Sequence, residues 1–460
     1  MTDQQSSWTL GCYGGEIETP NIDRLAREGI RLTNFFTNSA CCTPSRGCFF
    51  TGLYPHAHGA YFNDLPLRRD AKTIAHILHD TAYRTSYIGK WHLDGDWNTF
   101  GEAYRLAGAD PENVLLPQKE KMAGQRDRWI GGDRSMGFDN CQWMFNCSHA
   151  KRVARAADAV RLINGEPGDE ESYTTDWLTT KAIEIIESAG DTPHFITLAI
   201  PDPHDPFTVR APFDTMFDPR SVRVPETFSE KNLPDWLESE TAQRWSRPEN
   251  VVGSEQVLRK AKAQYLGEVA CIDLNVGRII SALEQEGILD ETIIVFTTDH
   301  GEYMGEHGIY AKNQLYEGAY RIPFIIRYPP GVRAGTTLEG FVTTVDVQQT
   351  LLGLMDVSAG GDEQGRDASL LIRGESIPWE DEAFIYGTMA DRAGVFTPEY
   401  ELAYAKNSKD HILFDRIHDT SQVRNLFFDP DYSHVVEELT QRLVSHNQAI
   451  GAPESIWLGT

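Results

Sequence analysis

"TIIVFTTDHG" (Thr292–Gly301) decides the fold. A nearly continuous β-favouring apolar run stops at an acid, an imidazole and a glycine. A strand covered on both faces reads this way, because it has no solvent side on which to alternate. "TSYIGK" (Thr85–Lys90), "HFITLAI" (His194–Ile200) and "IPFIIRY" (Ile322–Tyr328) have the same character. Between them, "AKTIAHILHDT" (Ala71–Thr81), "TTDWLTTKAIEIIESAG" (Thr174–Gly190) and "YLGEVACIDLNVGRIISALEQEG" (Tyr265–Gly287) carry apolar residues at helical spacing. In "TPNIDRLAREGI" (Thr19–Ile30), Thr19 predicts an N-cap, Pro20 the first helical position and Gly29 the stop. Strands alternating with helices imply an α/β fold with a doubly wound, mostly parallel central sheet flanked by helices.

That unit is expected over residues 1–360. From Pro206 to Asn250 the chain is rich in Pro, charge and Trp, which predicts a long surface excursion. Over 361–460 the pattern changes. "AFIYGTMADRAGVFTPEYELAYAK" (Ala383–Lys406) and "HILFDRI" (His411–Ile417) predict short antiparallel strands, and "HVVEELTQRLVSHN" (His434–Asn447) a terminal helix. The expectation is a small C-terminal α+β subdomain carrying an antiparallel sheet. No internal repeat interrupts either part.

At 460 residues the chain buries a large core without disulfide staples. With 42 Lys+Arg against 68 Asp+Glu, the net charge of −26 argues against nucleic-acid or anionic-lipid partners, so an anionic ligand would need a locally basic pocket. Seven cysteines, an odd number scattered over a long chain, do not form the pattern of a disulfide framework. No apolar run reaches the roughly 18 residues of a membrane span. "MTDQQSSWTL" lacks the basic and apolar regions of a secretory signal, so the chain as written reads as cytoplasmic.

The chemistry gathers just past the strands. In open α/β sheets ligands bind beyond the carboxyl ends of the strands. Lys90, Trp91 and His92 close one run, His204 in "PDPHDP" lies after another, and Asp299, His300 and Gly301 end a third. Titratable groups thus collect on one edge. Before them stands "SACCTPSRGCFF" (Ser39–Phe50), for which a disulfide, a metal site and a nucleophile compete. Adjacent cysteines bridge only with strain. Cys48, His56 and His58 match no common zinc spacing. A nucleophile remains: Cys42 at the mouth of a turn, Arg46 four residues on as a fixed cation, and "GCFFTG" as a helix start behind them. A plain cysteine nucleophile would want a histidine, and His92 or His204 could serve.

Cys42, Pro44, Ser45, Arg46, Thr51 and Gly52 in "CTPSRGCFFTG" resemble the signature of type I, formylglycine-dependent sulfatases of the alkaline phosphatase superfamily. "TDQQ", "GCYG", "TPNIDRLAREGIRLTNFF", "TGLYPHAHG", "IGKWHL", "PHDP", "TTDHGEYMGEHGIYAKNQLYEGAYRIPFII" and "LFDRIHDTSQVRNLF" are similar to sulfatase segments in the family's order. The resemblance implies an alkaline phosphatase-like fold. It also implies that a separate maturation enzyme oxidises Cys42 to formylglycine, leaving Cys41 and Cys48 as packing residues. Asp3, Gln4, Asp299 and His300 would hold one divalent cation together with the Cys42-derived group; oxygen ligands suit Ca2+ or Mg2+, and the histidine admits Mn2+. Lys90, Arg46 and Lys312 would grip the nucleophile and the sulfate charge. Asp299 would help deprotonate the nucleophile, His204 would protonate the leaving oxygen, with Lys312 beside it, and His92 would take the proton that lets sulfate depart.

In this family the Asp corresponding to Asp3 ends the first central strand, whereas this sequence begins at Met1-Thr2-Asp3. The expectation is a sheet lacking that strand and an Asp3 without an anchor; a longer natural chain would leave a periplasmic or secreted location open. The segment "RWIGGDRSMGFDNCQWMFNCSHAKRV" (Arg128–Val153) offers Trp129, Trp143 and His149 towards a sulfated sugar, with core packing of the tryptophans as the competing reading. The set resembles bacterial carbohydrate sulfatases. Two other functions stay open: hydrolysis of phosphonate monoesters or phosphodiesters by the same nucleophile, and a non-catalytic relic that binds sulfated glycans.

Overall fold

Every apolar run pairs as a strand. The computed structural model describes residues 1–68, 70–94, 129–130, 136–155, 160–238, 254–388, 391–406 and 408–458. Its central strands are β1 (Ile30–Leu32), β2 (Arg84–Lys90), β3 (Trp129–Ile130), β4 (Asn140–Phe145), β5 (His194–Ala199), β6 (Ile294–Thr297), β7 (Phe324–Arg327) and β8 (Thr336–Leu338). They form two four-stranded sheets, ordered β3-β4-β2-β5 and β8-β1-β7-β6. β2 runs parallel to β4 and β5, and β1 parallel to β8, while β3 and β7 run antiparallel to their neighbours.

Met1–Asp3 closes the seam between the two sheets. The Met1 amino group donates to Leu198 O (3.0 Å), Ile200 N donates to Met1 O (2.9 Å) and Thr2 N donates to Thr297 O (2.9 Å). Thr2 pairs in parallel with Thr298. This one-residue bridge links the two sheets and seats Asp3. This corrects the expectation of an unanchored Asp3, whose amide donates to Asp202 O at 3.1 Å and whose side chain is fully buried. Two neighbouring strands already hold the segment, so little ordering entropy is left to resist it.

Period-2 alternation sends each strand's side chains to two different layers. Ile325 packs with Ile22 and Leu25 of α1 (Pro20–Glu28) and Val269, Ile272 and Leu283 of α4 (Glu255–Gln285). Phe324 and Ile326 face the other way, towards Phe49 and Phe50 of α2 (Cys42–Thr51). α3 (Thr174–Ser188) presents Trp177 and Leu178 to Ile88 and Phe145. The predicted N-cap at Thr19 is used differently: its hydroxyl donates to Asp23 Oδ1 (2.9 Å) and accepts from Gly11 N (3.0 Å).

The C-terminal elements are β9 (Ala383–Tyr386), β10 (Arg392–Phe396), β11 (Tyr400–Ala405) and β12 (Ile412–Asp415), an antiparallel meander in sequence order. One face, with Val395, Leu402 and Leu413, packs on Leu439 and Leu443 of α5 (Ser433–Ile450). The other, with Ile385, Phe396 and Ala403, packs on Tyr316 and Tyr320. The excursion after Pro206 is anchored by buried Val222, Phe228, Trp236 and Leu237; its residues 239–250 lie outside the described residues. Among the described residues no helix is long and apolar enough to cross a membrane, and none of the seven cysteines forms a disulfide.

Gly89, one residue before Lys90, explains "YIGK". It has φ 100°, and a Cβ there would lie 2.0 Å from Ala199 O on the neighbouring strand. Only glycine lets β2 and β5 approach so closely at that backbone angle. Gly89→Ala is expected to destabilise the protein by about 3 kcal/mol or more, a strand separation plus an unfavourable backbone angle. Chemical denaturation checks this; an unchanged midpoint would show that β5 yields freely.

Candidate active site

The sequence predicts a turn at Cys42–Arg46 with the helix starting behind it. In the structure the helix already begins at Cys42, with Cys41 as N-cap and Gly52 (φ 64°) as C-cap. Pro44 is tolerated because a first-turn N–H has no helical partner to lose. Cys42 and Arg46 are therefore one turn apart on one face of a fully buried helix.

The strand ends bring the remaining residues to Cys42. Its Sγ lies 3.0 Å from His300 Nε2 and 3.7 Å from Asp3 Oδ1. Asp3, Cys42, Asp299 and His300 are all buried, and each offers a ligand atom within 4.8 Å of the others. Arg46 Nε donates to Asp299 Oδ2 (2.8 Å) and Arg46 Nη1 to Lys90 O (2.6 Å). Arg46 Nη2 is buried without a hydrogen-bond partner, 3.7 Å from Asp3 Oδ2. Lys90 Nζ donates to Asp3 Oδ2.

Gln4 stands next to this set. Its amide N–H donates to Asp299 Oδ1 (3.1 Å), its Oε1 accepts from Lys312 Nζ, and its Nε2 donates to Glu302 Oε2 (2.5 Å). Burial pushes Glu302 up to about 7. Lys312 also meets His204 Nε2 at 2.7 Å. His149 stacks on His204, ring centroids 3.7 Å apart, and its Nε2 lies 2.7 Å from Lys90 Nζ. His92 turns to the other side of the nucleophile, where its Nε2 meets Asp64 Oδ1 at 3.0 Å and its carbonyl accepts from Thr43 Oγ1 (2.8 Å). Gln4 and His92 have left-handed backbones (φ 62° and 59°), conformations that non-glycine residues adopt at a cost and that cluster at functional sites.

The electrostatics favour an anion. Three cations, Arg46, Lys90 and Lys312, stand among the carboxylates Asp3, Asp299 and Asp205, and Arg46 keeps Nη2 without a hydrogen-bond partner for the anion. Burial alone would push Asp3 up, but Lys90, with His204, His149 and Arg46, holds it well below the usual carboxylate range. Burial, reinforced by His149 and Lys312, drives His204 well below the ordinary histidine value, and burial with Lys90 does the same to His149. Burial brings His300 down to about 4. Its Nδ1 lies 2.9 Å from Gly301 O, which assigns the proton to that nitrogen and leaves the Nε2 lone pair towards Cys42. Buried carboxylates with an imidazole lone pair are a donor set that fits a divalent cation.

The predicted site residues thus converge, except for the His92 side chain, which meets Asp64, and the zinc alternative does not. Cys48 Sγ lies 3.7 Å from His58 Nε2, which itself meets Pro44 O at 3.2 Å, while His56 Nε2 meets Ile450 O at 3.0 Å. Trp129 and Trp143 pack against each other and Trp177, so the core reading holds for both, while His149 of the same segment does reach the site. Arg128 and residues 131–135 lie outside the described residues. Sequence reasoning misses Asp64, Glu302 and the buried set Lys151, Asp202 and Glu268 beneath His204. Asp202, Glu268, Glu302 and Lys151 lie in segments quoted above, but local spacing does not show which partner each meets, and Asp64 lies outside those segments.

The chain is 28% identical to N-acetylglucosamine-6-O-sulfatase of Bacteroides thetaiotaomicron, over 96% of this chain and 84% of that protein. It is 26% identical to an ulvan-active sulfatase of Formosa agariphila, over 96% and 79%. Among solved structures, a putative sulfatase from Bacteroides fragilis superposes with a TM-score of 0.78 at 23% identity, covering 100% of this chain and 97% of that one. A phosphonate monoester hydrolase from Silicibacter pomeroyi superposes with 0.76 at 21%, covering 100% and 96%. The chain therefore shares the fold of these two structures. A family model for the C-terminal part of N-sulphoglucosamine sulphohydrolase matches residues 305–449. The Sulfatase family model matches residues 1–357, and with it the chain belongs to the Sulfatase family, the sulfuric ester hydrolases.

Proposed function

We propose that this sulfatase releases sulfate from a sulfated carbohydrate, with Cys42 oxidised by a maturation enzyme to formylglycine. The observation that carries the reading is the burial of Cys42 Sγ among Asp3, Asp299 and His300 with Arg46 and Lys90 alongside. The aldehyde hydrate would supply a nucleophilic hydroxyl and a second hydroxyl whose deprotonation expels sulfate without water attacking sulfur. Asp3, Asp299 and His300 would hold the divalent cation, most simply Ca2+, which would neutralise sulfate oxygen charge.

The chain's own residues do the rest. Arg46, with its unpartnered Nη2, and Lys90 bind the anion, and Lys312 meets its outer oxygens. Asp299 takes the proton of the attacking hydroxyl. His204 delivers a proton to the departing sugar oxygen. Burial and Lys312 hold His204 neutral, and an arriving sulfate anion offsets both, so His204 takes up its proton together with substrate. His92, oriented by Asp64, accepts the proton that lets sulfate leave.

The carbohydrate assignment draws on the relatives, which include an N-acetylglucosamine-6-O-sulfatase and an ulvan-active sulfatase. Protein coexpressed with a maturation enzyme should show a Cys42 peptide lighter by roughly 18 Da and should release sulfate from N-acetylglucosamine 6-sulfate or another sulfated sugar. An aryl phosphonate matched to an aryl sulfate tests the second reading, favoured by the phosphonate monoester hydrolase fold match. A kcat/KM preference for phosphonate above about tenfold, or 1.4 kcal/mol, overturns the sulfate assignment.

A further inference from the structure

We propose that Asp64, His92 and Cys147 form a second, inhibitory metal site that takes Zn2+. The three residues each offer a ligand atom within 4.8 Å of the others, and the group shares no member with Asp3, Cys42, Asp299 and His300. The fold builds it from adjacent parallel strands. Lys90 of β2 is in register with Phe145 of β4, so the residues two beyond each, His92 and Cys147, emerge side by side. The amide of His92 donates to Asn146 O at 2.6 Å, which locks the two strand ends together. Asp64 closes the group from the loop after the short helix Pro55–His58, with Nε2 of His92 3.0 Å from its Oδ1.

Two further observations point to a ligand. His92 is 2% exposed and its Nδ1 has no hydrogen-bond partner, an expense that proteins seldom bear at a buried polar atom. The donors are also close enough to converge on a small cation: all three lie within 4.8 Å of one another and His92 Nε2 and Asp64 Oδ1 are 3.0 Å apart, against roughly 3.3–3.6 Å between the ligands of a tetrahedral zinc. Ligand type separates the two sites. A sulfur, an imidazole and one carboxylate select a borderline-soft ion, whereas Asp3 and Asp299 supply hard oxygens, so calcium has no reason to leave them for Cys147.

Binding requires the Cys147 thiol to lose its proton to solvent. Zn2+ then takes the thiolate, an Asp64 oxygen and one His92 nitrogen lone pair, with water completing the shell. The inhibitory consequence rests on the reading of His92 as a base: a metal-bound nitrogen cannot accept a proton, and turnover would stop after sulfate transfer. Binding itself does not rest on that reading.

The two are therefore measured separately. In the full chain carrying Cys42→Ser, which removes the thiol of the first site, Co2+ should produce a thiolate charge-transfer band, and adding Cys147→Ser should abolish it. No band in the first protein, or the same band in the second, overturns the site. In calcium-loaded, matured enzyme, Zn2+ should inhibit reversibly, and Cys147→Ser should keep the uninhibited rate while raising the half-inhibitory Zn2+ concentration by about tenfold or more. Equal Zn2+ sensitivity of both enzymes would place inhibition at the first site and overturn the regulatory claim. Should Cys147→Ser fold poorly, Cys147→Ala provides the same comparison.

Discussion

Cys42→Ala is expected to lower sulfate release by about 10,000-fold or more, the scale seen when the nucleophile of a catalytic unit is removed. The fold should survive it. Alanine keeps the Cβ at the first position of α2, and the lost sulfur makes two polar contacts, with His300 Nε2 and Asp3 Oδ1, while backbone pairing still holds Met1–Asp3 in the seam. Arg46 still pairs with Asp299 and Lys90 still donates to Asp3, so the charges of the site remain satisfied. Loss of activity with an unchanged denaturation midpoint is thus the signature of a chemical role. Turnover persisting in Cys42→Ala would remove this residue from the mechanism, and with it the need for maturation.

The residues that are legible in the sequence share one property: local geometry places them. Cys42 and Arg46 sit one helical turn apart, and Lys90, His92, Asp299 and His300 lie at or just beyond strand ends, so backbone period alone carries them to the carboxyl edge of the sheet. Local geometry does not place residues whose partners lie far along the chain: Asp3 and Lys312 are named only through the family resemblance. Asp64 meets His92 from 28 positions away, and Glu302 meets Gln4 from 298 away. Nothing in either neighbourhood announces the pairing. The start of α2 is hard to place for a related reason. Pro44 and Ser45 carry turn propensity, yet both fall in a first turn where a missing N–H costs nothing and where tertiary burial overrides local preference. Asp3 shows the converse error. Proximity to a terminus suggests fraying, but two strand edges with open hydrogen-bonding groups hold Met1–Asp3 more firmly than its position implies.

The same long-range logic singles out Lys151, which lies under the site without touching the nucleophile. Its Nζ donates to Asp202 Oδ1 (2.7 Å), Glu268 Oε1 (2.9 Å) and His204 O (3.1 Å). One cation thus ties the loop bearing His204 to α4, and Asp202 O in turn receives the Asp3 amide. Both carboxylates are buried, and burial drives Glu268 well above the ordinary glutamate range even though Lys151 and its hydrogen bond pull the other way. Lys151→Met keeps the stem and deletes the charge, leaving two buried acids without their partner. A loss of about 3–5 kcal/mol is expected, the cost of breaking a buried pair from one side. Its pH dependence has a definite sign. A carboxyl whose folded pKa is raised binds its proton in the folded state while the unfolded chain releases it. For Glu268, stability is then lost as pH rises above the unfolded value of 4.5, at up to about 1.4 kcal/mol per unit. Losing Lys151 raises Glu268 further, so the deficit of Lys151→Met should be smallest at acid pH, where both proteins keep the Glu268 proton, and grow as pH rises through the folded value of the unmutated protein towards pH 8. Adding Asp202→Asn and Glu268→Gln should recover much of it and flatten the pH profile, because neutral amides carry no charge to desolvate. Denaturation midpoints across that pH range decide the matter: a deficit independent of pH, or one that the added amides leave unchanged, would mean that Lys151 acts by packing its stem and not by holding two acids in place.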